Sequence, residues 1–259
     1  MKIMMAAHQK GFSIVELMIA LLIGSLVTGS ILQMMVSYSE SSRVNDYLVT
    51  AQGNGRHSLY LLSRAVHMAG YRERFSYDPA EAFYHGACLG DTTNPCTTDG
   101  GGTDSDRIAI RYEPLNGRDC TGGTVNPDEL TADVYYIAAD PDNNNINALF
   151  CSGYDPVSGS ERSTGVVMVS GVERLQVVYG MASSGDDRVS QYAVAGAVTD
   201  WEDVLSVKIG VLVSAGQDVR VFENTSRTYN LLGSGDLSLT DQTPRYQYST
   251  TARLNNAGL

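Results

Sequence analysis

Glu16 is the residue whose chemistry fits its neighbours least. It is the single charge in the apolar run 12–36. A carboxylate inside an apolar span costs ~2.5 kcal/mol or more, so it demands a partner or a function. A cut before Phe12 would create a suitable partner, a new α-amine four residues upstream. Within one subunit the two are near neighbours; in a stack of parallel helices, Glu16 of one subunit could instead neutralise Phe12 of another, and the cost of the unpaired charge would then favour assembly in register.

The other residues able to do chemistry are few. Four cysteines, Cys88, Cys96, Cys120 and Cys151, all follow the apolar run. If that run sends the rest of the chain out of the cytoplasm, they lie in an oxidising compartment and form two disulfides. Three pairings are open. Cys88–Cys96 with Cys120–Cys151 is preferred, because sequence neighbours close short loops at least entropic cost. Zinc is disfavoured, since no two cysteines have C-x2-C spacing.

The four histidines, His8, His57, His67 and His85, include no i, i+4 pair of the kind a helical metal site uses. Asp140-Pro-Asp142-Asn-Asn144 resembles the start of a calcium loop. It has Asn145 where the sixth-position glycine belongs and Cys151 where the closing glutamate belongs, so it reads as a polar turn. Gly100-Gly-Gly102 is followed by neither Lys-Ser/Thr nor a helix, so it is not a phosphate cradle. No nucleophile constellation appears. The expectation is a protein with no catalytic residues, metal or cofactor.

The elements that position these residues follow from pattern. The run 12–36 exceeds the ~20 apolar residues that span a bilayer as a helix. Before it stands a short stretch, MKIMMAAHQKG, whose Lys2 and Lys10 keep the N-terminus cytoplasmic and send the bulk outward. A secretory signal has its apolar core before the cleavage site; here the core follows, so a cut at Gly11–Phe12 leaves the helix on the mature chain.

Val44, Leu48, Ala51, Gly55, Leu59, Leu62, Val66 and Ala69 then recur at three- and four-residue steps. This continues the helix as an amphipathic one until Gly70, with Pro79 beyond. A helix over 14–69 would be about 84 Å long. Residues 71–102 read as a long, disulfide-pinned loop rich in turn formers. Strands are expected at 107–112, 133–138, 148–151, 166–170, 172–181, 205–214 and 246–254. A turn is expected at 183–186, and one helical turn at 201–204.

The fold class is therefore α+β: a long N-terminal helix, transmembrane in its first half and amphipathic in its second, packed on an antiparallel β-sheet head. The organisation is a cleaved leader 1–11, a transmembrane or filament-core helix 12–38, an amphipathic helix 39–70 and a β-rich head 71–259. Loss of Lys2 and Lys10 with the leader takes the formal charge from −11 to −13. That acidity argues against nucleic acid as a partner of the whole surface, with Arg72 and Arg74 the one small basic patch.

Lys10-Gly11-Phe12-Ser13-Ile14-Val15-Glu16-Leu17 resembles the type III signal sequence shared by type IV prepilins and type II secretion pseudopilins. The resemblance implies that a membrane prepilin peptidase cuts after Gly11 and methylates Phe12, and that Glu16 is needed for assembly. Gln33 stands where many major pilins have a proline. Glu16 is retained where the terminal pseudopilin of secretion systems typically lacks it.

Looser blocks resemble minor pilins of the PilW type: Gln52-x-x-Gly55-Arg56, Ala69-Gly70-Tyr71, Asp106-Arg-Ile-Ala-Ile-Arg-Tyr112, Val172-Glu-Arg-Leu-Gln-Val-Val-Tyr-Gly180, Trp201-Glu-Asp-Val-Leu-Ser-Val-Lys208 and Arg253-Leu-Asn-Asn256. This resemblance implies an inner-membrane, single-pass precursor with a periplasmic head that later joins the pilus. Its implied partners are the major pilin, other minor pilins and a large tip adhesin, and its implied roles lie in twitching motility, adhesion and DNA uptake. The alternative is a type II secretion minor pseudopilin. A membrane-tethered binding module or adhesin, using the loop 76–102, is a further reading.

Overall fold

The computed structural model describes residues 11–72, 82–183, 188–214 and 224–256. The leader lysines, His8, Arg74, Pro79 and all of the 183–186 turn but Ser183 lie outside these residues. The chain divides into two units, Met1–Asp46 and Tyr47–Leu259.

Helix α1 (Ile14–Met68) runs through the division without a break, and Gly24, Gly29, Gly53 and Gly55 all stay helical. In the first unit its side chains are almost all exposed, and the most apolar 18-residue window has a mean hydropathy of 2.2 with none of it buried.

In the second unit α1 buries Ala51, Gly55, Ser58, Leu62, Ala65 and Val66, a stripe at helical spacing that ends at Ala69. Most members of this stripe are small, which lets the helix backbone approach the sheet. A Cβ on Gly55 would collide with the Tyr248 ring. Asn54 Nδ2 donates to the Ser170 carbonyl at 3.0 Å, and Asn256 Nδ2 donates to the Ala69 carbonyl at 2.8 Å.

The head holds two four-stranded antiparallel sheets. One has the order β3 (Ile108–Tyr112), β4 (Thr131–Asp140), β5 (Ile146–Tyr154), β6 (Glu161–Ser170). The other has the order β12 (Arg245–Arg253), β9 (Val204–Ser214), β7 (Val172–Ala182), β8 (Val189–Ala193). Two ribbons are separate, β1 (Ala87–Cys88) with β2 (Asp91–Pro95) and β10 (Thr225–Asn230) with β11 (Asp236–Asp241). The chain passes from β6 into β7 through Gly171 alone, at a φ of 77° that favours glycine.

One core joins both sheets to the helix: Leu62 and Val66 from α1, Ile108, Ile110 and Leu149 from the first sheet, and Leu175, Val177, Val207, Ile209 and Val211 from the second.

The long helix and the antiparallel head agree with the sequence. Three expectations need correction. Within 71–102, the described part is not all loop, because β1 and β2 form a ribbon there. Residues 201–203 form a turn rather than a helical turn, and Val204 already opens β9; Trp201 is instead fixed by ring contacts with Phe83 and Tyr179, and the short 3₁₀ helix is Ala195–Ala197. Strands β8, β10 and β11 were not expected. They are largely exposed; β8 and β10 carry no strict apolar alternation, and in β11 it is confined to Leu237 and Leu239.

Two buried carboxylates tie loops to this core. Asp106 accepts from the Gly100 N–H at 2.9 Å and the Val177 N–H at 2.7 Å, holding the 99–106 loop on β7. Asp133 accepts from the Tyr112 hydroxyl at 2.6 Å. Burial pushes each carboxyl up to about 7, against the lowering effect of these hydrogen bonds.

A folded-state value above the unfolded one means that the native state binds the proton more tightly. Stability from these groups is present in acid and is lost as pH rises from about 4 through 7. The detergent-solubilised chain is therefore expected to melt several degrees higher at pH 5 than at pH 8. Asp106→Asn and Asp133→Asn should each flatten that difference, which a thermal-melt series checks. At the seam, Gly55→Val should cost about 1–3 kcal/mol by overpacking against Tyr248. Gly53→Ala, with nothing within 4 Å of its new Cβ, should be neutral or stabilising by up to about 1 kcal/mol in the same assay.

Candidate functional site

Residues 11–13 lead into α1 as exposed, non-helical backbone, and the first helical hydrogen bond runs from Leu17 N–H to the Ser13 carbonyl at 3.1 Å. The Gly11–Phe12 bond therefore lies just outside the helix. Phe12 is 83% exposed, so no packing protects this segment from a protease cleft.

Glu16 sits in the first helical turn, where the unsatisfied N–H groups of a helix start favour negative charge. Among the described residues it has no cationic partner. The helix start offsets part of the cost of the carboxylate, and the remainder calls for a positive group from elsewhere.

The polar side chains further along this apolar stretch serve themselves. Ser25 donates to the Leu22 carbonyl, Thr28 to Gly24 and Ser30 to Leu26, at 2.9, 2.8 and 2.9 Å. Hydroxyls closed onto the helix backbone present little unmet polarity to lipid or to another apolar helix. With these groups satisfied, Glu16 is the outstanding polar feature of the exposed apolar surface.

The head places the remaining sequence candidates in structural roles. Cys88 is bonded to Cys96 across the β1–β2 ribbon, and Cys120 to Cys151, fastening the loop after β3 onto β5. Cys120, Asp133 and Cys151 gather closely enough to resemble a metal site, but the two sulfurs are bonded to each other and are not free thiolates. Asp140 shapes the β4–β5 turn: its carbonyl accepts from Asn143 and Asn145, and its carboxylate accepts from Asp142 N–H at 3.0 Å.

Gly100 serves the Asp106 carboxylate described above. His57 is exposed on α1, and His67 Nδ1 lies 2.8 Å from the Arg253 carbonyl. His85 packs at a tilt against Trp201, with ring centroids 4.3 Å apart, and burial there lowers its pKa.

Asp119 was missed in reading the sequence. Burial acts to raise its pKa, but donors from Ser163, Thr121 and Gly123 outweigh it and hold the carboxyl below its usual value. A run such as Arg118-Asp-Cys-Thr-Gly-Gly carries no periodicity that would expose this network.

Two sequence comparisons bear on this arrangement. Residues 6–32 match the prokaryotic N-terminal methylation motif, the segment that contains Gly11, Phe12 and Glu16. Residues 134–256 match the model of the family described as type IV pilus-assembly protein W. Among solved structures, a type IV-like pilin from Thermus thermophilus is similar at 14% identity, covering 83% of this chain and 98% of that one, with a TM-score of 0.43. No curated protein matches the sequence. The chain is thus similar to the N-terminal methylation motif ahead of the head and to type IV pilus-assembly protein W within the head.

Proposed function

We propose that this chain is a minor pilin, a structural subunit that enters the type IV pilus and primes or supports its assembly at or near the tip. The observation that carries the reading is the N-terminal segment: an accessible Gly11–Phe12 bond, a helix start bearing Glu16, and an exposed apolar surface behind it.

The proposed sequence of events uses each part. Prepilin peptidase cuts after Gly11 and methylates Phe12. The precursor waits as a single-pass protein of the inner membrane with its head in the periplasm. On assembly the apolar helix exchanges lipid for neighbouring pilin helices, and the Phe12 amine of one subunit meets Glu16 of the next. Pairing recovers the cost of the carboxylate only when the helices are in register, so the charge selects the stagger. The head would contact other minor pilins, the major pilin and a large tip adhesin, and the pilus would serve twitching, adhesion or DNA uptake.

Mass spectrometry of the mature chain is expected to show an N-terminus at methylated Phe12; an intact Met1 in cells with active prepilin peptidase would overturn the reading. Glu16→Ala should leave processing intact and reduce incorporation into sheared pili at least tenfold, with immunoblots of the membrane and pilus fractions as the measure. Deletion of the gene should remove surface pili. Normal piliation with exoproteins stranded in the periplasm would assign the chain to type II secretion instead.

A further inference from the structure

Within the head unit, a cleft of about 380 Å³ opens between one flank of α1 and the loop after β3. Leu61, Arg64, Ala65 and Met68 line the helix side at i, i+3, i+4 and i+7 spacing; Leu115 and Tyr135 stand across from them. The volume falls within the range of ligand sites, about 300–1,000 Å³.

The polar groups of the cleft divide into two sets. The carboxylates are already served. Asp133 takes the Tyr112 hydroxyl and the Cys120 N–H, and Asp119 takes Thr121, Gly123 and Ser163. The donors are not. Among the described residues, neither the Arg64 guanidinium nor the Tyr135 hydroxyl has a hydrogen-bond or ion-pair partner. Tyr135 is only 6% exposed, and its ring forms part of the wall of the cleft. Arg64 lies close enough for its charge to act on the Tyr135 hydroxyl.

The floor and lip select the rest of the occupant. Met68 and Met168 offer flexible, polarisable surface that adapts to an aliphatic side chain. Leu115 at the lip is 69% exposed, an apolar side chain left uncovered beside the opening. Unpaired donors beside adaptable apolar walls are complementary to a carboxylate that has an aliphatic neighbour.

We propose that this cleft docks a peptide segment of a neighbouring subunit, its Asp or Glu carboxylate meeting Arg64 and Tyr135 while an adjacent aliphatic side chain packs on Met68, Met168 and Leu115. The chemistry of the cleft stands by itself; the source of the peptide rests on the pilus reading above.

The test uses the full chain in detergent micelles with methyl-labelled methionine, titrated with acetyl-Leu-Glu-Leu-amide, its Gln counterpart and hexanoate. The Met68 and Met168 methyl signals are expected to shift and saturate with the Glu peptide. The Gln peptide should bind about tenfold more weakly, as loss of a charge-assisted bond implies. Arg64→Ala, at an exposed helix position, should abolish the Glu preference. Tyr135→Phe should weaken binding while melting no lower than the parent, because the hydroxyl has no internal bond to lose.

Equal binding of the Glu and Gln peptides overturns the proposal, as does an unchanged preference in Arg64→Ala, or hexanoate binding as tightly as the peptide. In cells, a photo-crosslinker at position 115 is expected to trap an acidic segment of another pilin-like subunit in assembled pili. Its failure to join any subunit overturns the subunit as occupant. Neither failure touches the state of Phe12, so the pilus reading is judged separately.

Discussion

A helix satisfies its own backbone wherever it lies, and that constraint governs the rest of this structure. Between its two ends α1 closes its N–H and C=O groups, so there only its side chains decide what each part faces. Over its first part the side chains are apolar all round, and even the serines and threonine turn inward onto the helix. Further along, the apolar residues narrow to one stripe and the rest become polar. The same secondary structure thus passes from a surface that needs an apolar medium to one that needs a sheet. A break between them is unnecessary, and the helical glycines do not make one.

The seam in the head depends on small residues as much as on large ones. Ala51, Gly55, Ser58, Ala65 and Ala69 bring the helix close, and Leu62 and Val66 fill the depth. Close approach lets Asn54 and Asn256 reach backbone carbonyls across the seam. The aromatic side chains of β12, Tyr248 among them, occupy the space that small residues leave. Hydrophobic burial supplies the drive here, and the side-chain amides make the fit directional.

The sequence was most legible where one physical demand acted alone. Helix periodicity along 44–69 reflects one buried stripe, and β3, β7, β9 and β12 were readable because each has a face in the core. It failed where tertiary contacts set the conformation. Ribbon β10–β11 is held by its own ladder and is polar on most of its surface, so its sequence resembles a loop. Trp201 looked like the start of a helical turn, yet Phe83, His85 and Tyr179, distant in sequence, determine its place. At the N-terminus the position of Glu16 was legible because an isolated charge in an apolar run is conspicuous. The cleft was not, since Arg64, Leu115 and Tyr135 come together only through the fold.

The two regions share one physical logic. Glu16 at the helix start and Tyr135 with Arg64 in the head are polar groups that the described residues leave without partners. Elsewhere the head satisfies buried carboxylates thoroughly: Asp106, Asp119 and Asp133 each accept several donors. A chain that provides for its internal acids this completely shows that its fold can supply donors where they are needed. The head also leaves the buried Tyr179 hydroxyl and Ser206 Oγ without a partner; what sets Glu16, Arg64 and Tyr135 apart is that they lie on an exposed surface or in an open cleft. Their signs are opposite, one seeking a cation and the other an anion, as expected of a subunit that offers different chemistry to different neighbours. Burying or desolvating such groups costs free energy until the right partner arrives, so they add discrimination that the apolar surfaces around them lack.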